Sequence, residues 1–396
     1  MKKFLVFVLF LLNINAVRAQ LVKLEDEQVV TIHSASLNKD QKLFIRLPRN
    51  YDKVNIRYPV VYLFDAQDKT LYNYASAAID RLMWTNDIPN VILVGIAQND
   101  RSKELGIERN PEDSKKFLSF IKDELLLDIQ KRYRTVDFQV FTGHSLGGQF
   151  VTNAMLTNPQ TFKAVISISA ALNYPATDTL FKGKTILLMK DFLKNKVKDK
   201  LYYYYSVGDT GFQDELFQTG VLKVDSLFKR FQPPNIDWKF NYLHGFNHGT
   251  TPLASIPDGL VFIFRKWHFS DSLAMNVLVY DKTDPIKAIE KQEQVIKDNY
   301  NAGIPIPIFI YWQFADFYFQ KAQFSKAKIL LQKNIALDPK SHDPYGRMAE
   351  IFEKENNVSE AKKYYELAKS KLLPEDKEEK VKYEAKINEM LQKLNK

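Results

Sequence analysis

The segment Gly143-His144-Ser145-Leu146-Gly147-Gly148 carries the clearest chemistry in the chain. Its serine has glycine two positions away on both sides and lies between an apolar run at 138–142 and a helix-like run at 149–156. A chain that reverses this tightly from strand to helix strains the residue at the apex and leaves no room for side chains two positions away, so Gly-x-Ser-x-Gly reads as a nucleophile elbow. A serine alkoxide is inaccessible near neutral pH, so Ser145 needs a base within hydrogen-bond reach. Six histidines are available: His33, His144, His244, His248, His268 and His342. His144 sits inside the elbow, where neighbouring positions point away from the nucleophile. His33 precedes the core strands, His268 ends the first half, and His342 lies in a helical tail. His248, followed by Gly249-Thr250-Thr251-Pro252, sits in a flexible loop entering a helix, so its ring can swing toward the elbow. His244, at a strand end, reads as structural. The two as a metal pair lack any companion ligand cluster, and no H-E-x-x-H occurs, so neither metal nor cofactor is called for.

An acid should hold the histidine tautomer and stabilise the imidazolium. The expected place follows the strand at 202–207, where Gly208-Asp209 ends the run; Asp209 is the first choice, with Asp214 and Glu215 as rivals. Charge developing on a substrate carbonyl must meet preorganised N–H donors. One is the Leu146 amide, next to the nucleophile; the other should come from the loop Asp65-Ala66-Gln67 after an earlier strand.

These residues need a rigid frame. Strands are predicted at 29–34, 42–47, 60–64, 91–96, 138–142, 164–167, 202–207 and 238–243. Several, such as Val91-Ile92-Leu93-Val94, are apolar throughout, as a strand covered on both faces requires. Between them lie helix patterns. The clearest is 111–133, with Phe117, Phe120, Ile121, Leu125 and Ile129 on one face and Pro111 in the first turn. Two strands with no helix between them, then strand–helix alternation, predict an α/β fold with a mostly parallel sheet and an antiparallel start.

After about residue 272 the strand signal disappears. Tyr311, Ala315, Tyr318 and Ala327 reappear as Tyr345, Ala349, Phe352 and Ala361 at a constant offset of 34 residues. That period, with small residues at crossing points and aromatics between them, matches tetratricopeptide helical pairs. Two copies are fewer than an independent array needs, so the tail should lean on the first domain.

The first residues read as an address. Met1-Lys2-Lys3, an apolar run to Leu12 and Val17-Arg18-Ala19 before Gln20 form a signal-peptide pattern, too short to span a bilayer. The expected division is therefore 1–19 leader, 20–271 catalytic domain and 272–396 helical tail, with export to the periplasm or medium.

Composition narrows the remaining classes. With 396 residues, 45% hydrophobic, 13% aromatic and no cysteine, the chain can bury a large core, and thiolate chemistry and disulfides are excluded. The formal charge of +9 falls to +6 without the leader's Lys2, Lys3 and Arg18. The tail from 272 holds 21 Lys and Arg against 19 Asp and Glu, so no concentrated phosphate-facing patch exists and nucleic acid is not an expected partner. No later run is long enough for a membrane span.

Taken together, Tyr58-Pro59-Val60-Val61-Tyr62-Leu63-Phe64-Asp65, the elbow and His248-Gly249-Thr250-Thr251-Pro252 resemble the putative-esterase (esterase D-like) branch of the α/β-hydrolases. The branch includes ferric-siderophore esterases, feruloyl esterases, formylglutathione hydrolases and mycolyltransferases. The resemblance spans about 29–269. It implies Ser145 as nucleophile, His248 as base, the Gln67 and Leu146 amides as oxyanion donors, and a small-molecule ester as substrate. Two departures stand out. Ala66 replaces the glycine usual after the strand-end Asp, adding a methyl that would narrow the site. Asp209 is one position from the family's acid, which leaves a Ser–His dyad open. An acyltransferase, or a scaffold engaging a protein partner through its tail, are the alternative expectations on the same fold.

Overall fold

In the computed structural model, residues 24–172, 183–195, 197–269, 271–374 and 376–395 are described. The leader read at 1–19 and residues 173–182 lie outside them.

All eight expected strands are present: β1 (Gln28–Ser34), β2 (Lys39–Arg46), β3 (Tyr58–Leu63), β4 (Ile92–Ile96), β5 (Thr135–His144), β6 (Ala164–Ile168), β7 (Leu201–Gly208) and β8 (Ile236–Leu243). They form one sheet in the order β1-β2-β4-β3-β5-β6-β7-β8. β1 pairs antiparallel with β2 and β2 with β4; every pair from β4 to β8 is parallel. The six parallel strands therefore end on one edge, and the order reverses around β3, as in sheets that bind ligands at their carboxyl ends.

Alternation along the strands divides the core into two layers. Val60, Tyr62 and Phe64 join Phe117, Ile121, Phe150 and Phe228 on one face, under the helices Leu146–Thr157 and Phe212–Phe231. Val61 and Leu63 join Tyr72, Ile79, Leu260 and Phe264 on the other, under Lys69–Trp84 and Thr251–Phe264. Side chains of a strand point alternately to the two faces, so strands covered on both sides must be apolar at every position, as β3 and β4 are. The predicted helix over 111–133 forms as Pro111–Ser119, a π-helical segment Phe120–Leu125 and Leu126–Arg132. All five residues of its predicted stripe are buried.

The C-terminal region is helical: Asp271–Leu278, Pro285–Tyr300, Ile308–Gln320, Phe324–Leu337, Asp343–Lys354, Val358–Ser370 and Lys377–Leu394. It is not a separate bead. Tyr300 packs edge-on against Phe138 (5.0 Å between ring centres) and stacks on Tyr202 (5.6 Å). Its hydroxyl donates to the Ile263 carbonyl at 2.9 Å. Trp267 Nε1 donates to the Pro305 carbonyl and Gln292 Nε2 to that of Lys266, each at 2.9 Å. One apolar cluster thus runs from the sheet into the tail. No helix among the described residues is long and apolar enough to cross a membrane.

Candidate active site

Ser145 stands between β5 and the helix Leu146–Thr157 with φ 61° and ψ −118°, a conformation sparsely allowed for a side chain with a Cβ. The backbone holds it there. Its N–H donates to the Ile168 carbonyl at 2.9 Å, and its carbonyl accepts from Ala171 at 3.1 Å and from Gln149 at 3.1 Å. The glycines are a steric necessity: a Cβ on Gly143 would lie 2.3 Å from the carbonyl of Gly147, and one on Gly148 would lie 3.0 Å from the Ala170 methyl. The helix begins at Leu146, so its N-terminal dipole favours negative charge beside Ser145.

His248 lies in the loop between β8 and the helix Thr251–Phe264. Asn247 shapes that loop, its Oδ1 accepting from the Gly249 and Thr250 amides at 3.0 and 3.2 Å. The ring of His248 is sandwiched. Phe217 meets it edge-on at 5.1 Å, and His144 packs on it at 4.3 Å. His144 therefore does not point away from this cluster, as its place beside Ser145 suggested; its ring packs against that of His248. Burial, then the neighbouring His248 and Arg101 charges, press the His144 imidazole down to about 3. It is neutral at ordinary pH and does not compete with a positive charge forming on His248.

The acid is where the structure departs from expectation. Asp209 does not face His248: it accepts from His244 Nδ1 at 2.8 Å and from the Gly245 amide at 2.7 Å, and the His244 ring is 81% exposed. Asp214 makes the contact instead, with Oδ1 2.7 Å from His248 Nδ1, its side chain fully buried and that of His248 only 13% exposed. Glu215, the other rival, is exposed. Asp214 is the third residue of Phe212–Phe231, in the turn where a helix dipole favours a carboxylate. Its Oδ2 accepts from the Gly208 amide at 2.8 Å and from Ser169 Oγ at 3.1 Å. Gly208 makes this approach possible, because a Cβ there would lie 2.5 Å from that oxygen.

Behind the pair is a chain of hydroxyls. Ser169 Oγ is 2.8 Å from Thr251 Oγ1, which lies 3.1 Å from the His248 carbonyl. If Ser169 gives its proton to the carboxylate, Thr251 can serve either Ser169 or the His248 carbonyl, not both. The buried hydroxyls tie Asp214 to the backbone of His248.

The loop after β3 carries the Gln67 amide. Neither this amide nor that of Leu146 donates to a protein acceptor among the described residues. Ala66 does not narrow the site. It is fully buried, and its methyl occupies the space beside Gly95, where a Cβ would come within 2.7 Å of it. Asp65, at φ 63°, is held by Arg101, a residue of the segment after β4.

Among the described residues no group of three or more His, Asp or Glu is arranged to hold a metal ion. A cavity of about 380 Å³, lined by Arg49, Arg57, Trp267 and Trp312, sits at the opposite ends of the parallel strands and takes no part in this arrangement.

The geometry agrees with what the chain resembles. The model of the family described as "Putative esterase" matches residues 34–207, which hold the elbow, the Gln67 loop and the strands β3 to β7. Residues 34–207 are thus similar to that family over somewhat less than half of the chain. The chain is a carboxylic-ester hydrolase of α/β-hydrolase fold, with a helical region following the sheet. No curated protein matches it. Among solved structures, the esterase is similar to an IroE-like serine hydrolase from Shewanella oneidensis (TM-score 0.60, 20% identity, covering 78% of this chain and 98% of that one). It is also similar to an uncharacterised protein from Capnocytophaga ochracea (TM-score 0.62, 17% identity, 93% of this chain and all of that one). A siderophore hydrolase from Aspergillus nidulans overlays at TM-score 0.52 and 17% identity, over 63% of this chain and 98% of that one. At these identities the likeness is one of fold. The 93% overlap takes in the helical region as well as the sheet.

Proposed function

We propose that this esterase is an exported serine hydrolase working through a Ser145–His248–Asp214 triad and an acyl-enzyme. The observation that carries the reading is the 2.7 Å contact between a fully buried Asp214 and His248, beside a serine held at positive φ. Asp214 keeps a proton on His248 Nδ1, which leaves Nε2 free to accept the proton of Ser145 as its Oγ attacks the ester carbonyl. The tetrahedral oxyanion is met by the Gln67 and Leu146 N–H groups and by the helix dipole behind Leu146. Collapse expels the alcohol, to which His248 returns the proton. Water, deprotonated by the same imidazole, then attacks the acyl-serine and releases the carboxylic acid. Export rests on the basic-then-apolar N-terminus with its small-residue cleavage pattern.

The direct test is hydrolysis of a short p-nitrophenyl ester by Ser145→Ala and His248→Ala. Both should abolish turnover while the far-ultraviolet spectrum stays native. Unchanged turnover in Ser145→Ala contradicts the proposal. Loss in His244→Ala with retention in His248→Ala reassigns the base.

A further inference from the structure

The two proposed oxyanion donors come from separate segments. Gln67 follows β3 and Leu146 follows β5, so their spacing is not set by local chain geometry. A third segment joins them. Arg101, at the start of the helix Arg101–Leu105 after β4, forms a fork on Asp65: Nε to Oδ1 at 2.7 Å and Nη2 to Oδ2 at 3.0 Å. The same Nη2 donates to the His144 carbonyl at 3.2 Å, the peptide group leading directly into Ser145. One guanidinium therefore spans the β3 loop and the elbow.

The Asp65 side of this bridge is itself braced. Its side chain is almost wholly buried, its N–H donates to Gln98 Oε1 at 2.6 Å, and its Oδ1 also accepts from Gln67 Nε2 at 3.1 Å. Gln67 Oε1 in turn accepts from the Gln98 amide at 2.9 Å. The Gln67 side chain is thus tied at both polar ends, which fixes the direction of its own backbone. Asp65 Oδ2 also lies close against Gly147, at 3.3 Å from where a Cβ would stand. Asp65 adopts a left-handed φ of 63°, a conformation that persists in a non-glycine residue only when its surroundings hold it. A planar fork with donors on two edges suits this geometry; a lysine ammonium, a point charge on a flexible stem, cannot reach both carboxylate oxygens and the carbonyl together.

We propose that Arg101 is a positioning residue that sets the spacing of the oxyanion hole, acting through Asp65 and the His144 carbonyl rather than on the ester itself. The inference rests on the serine-hydrolase reading above and adds to it a third segment that the mechanism does not otherwise require. Preorganised donors contribute only when they stand where the oxyanion forms, so loosening one should cost turnover and leave ground-state binding nearly intact.

The test measures kcat and KM on uncharged p-nitrophenyl acetate and butyrate for Arg101→Ala, Arg101→Lys, Asp65→Asn and the double variant Asp65→Asn/Arg101→Ala, with thermal melting of each. Arg101→Ala should lower kcat about 100-fold, the size of one displaced oxyanion donor, with KM changed less than threefold. Arg101→Lys should recover little, low millimolar guanidinium should partly restore Arg101→Ala, and the double variant should be no slower than the worse single one. Asp65→Asn, nearly isosteric, keeps the test open if Arg101→Ala fails to fold. An unchanged kcat, a loss confined to KM, or multiplying losses in the double variant overturn the inference. Ser145→Ala measured alongside separates the two claims: its retained turnover sinks the serine mechanism, whereas its inactivity with an unaffected Arg101→Ala sinks only the positioning role.

Discussion

Replacing Asp214 by asparagine is the substitution whose outcome the geometry specifies most closely. The two oxygens of Asp214 have different partners. Oδ2 receives the Gly208 amide at 2.8 Å, a group that can only donate, while Oδ1 faces His248 Nδ1 at 2.7 Å. An asparagine must therefore place its carbonyl oxygen toward Gly208, because the opposite orientation sets an NH₂ against an N–H in a fully buried site, at about 1–3 kcal/mol. With the oxygen so fixed, the NH₂ points at His248 Nδ1 and donates to it. The imidazole is then driven to carry its proton on Nε2, the atom that must accept from Ser145. The base is held in the wrong tautomer with little change in shape. In a triad of this design the same exchange costs roughly 10⁴-fold in kcat, so Asp214→Asn should retain on the order of 0.01% of turnover at neutral pH, with melting close to wild type. Steady-state hydrolysis of p-nitrophenyl butyrate across pH 6–9 measures it. Asp209→Asn is the control: its partner His244 is open to solvent, and turnover should stay within about threefold. Retention of more than a tenth of the activity in Asp214→Asn, or equal damage from Asp209→Asn, would refute the assignment of the acid.

Other consequences are measurable. His144 titrates near 3 in the folded chain against an ordinary 6.5, so on acidification the unfolded chain takes up this proton first. Its contribution to stability is complete above about pH 6.5 and drains away as the pH falls toward 3. Urea denaturation at pH 7 and pH 4 should show wild type losing more stability than His144→Phe; equal losses contradict the burial argument. Gly143→Ala places a methyl 2.3 Å from the Gly147 carbonyl and should destabilise by about 3 kcal/mol or more, with esterase activity lost, read by melting and turnover together. Tyr300→Ala removes a fully buried ring packed on Phe138 and Tyr202 and should cost about 3–5 kcal/mol in chemical denaturation, with a single transition reporting that sheet and tail unfold together.

Much of this frame was legible because its signals are local. Fully apolar runs such as that of β4 mark strands covered on both faces, and Gly-x-Ser-x-Gly between a strand and a helix marks the tight turn that holds Ser145 at positive φ. The Asp214–His248 contact was less legible because it depends on where the chain goes after β7. Asp209 is nearest to the strand end, but there the loop carries it outward to His244. A usable signal was present: Asp214, Phe217, Val221, Val224 and Phe228 follow at spacings of three, four, three and four, so Asp214 continues the buried stripe of its helix, while Glu215 falls off it. A carboxylate on an apolar stripe needs a buried partner. Arg101 and the wall formed by His144 were harder to read. Arg101 reaches partners 36 and 43 residues away in sequence, and no local pattern encodes that the turn after β4 folds back over β3 and β5.

The central claim, covalent catalysis by Ser145, is tested most directly by catching the acyl-enzyme. Intact-mass and peptide mass spectrometry of the protein, quenched in acid within milliseconds of mixing with a slowly turned-over p-nitrophenyl ester, should find one acyl group per chain. That group should sit on the peptide containing Ser145 and appear with a matching burst of nitrophenol. Ser145→Ala should show neither. A burst with the acyl group on another residue, or steady turnover in Ser145→Ala with no adduct, would contradict the account.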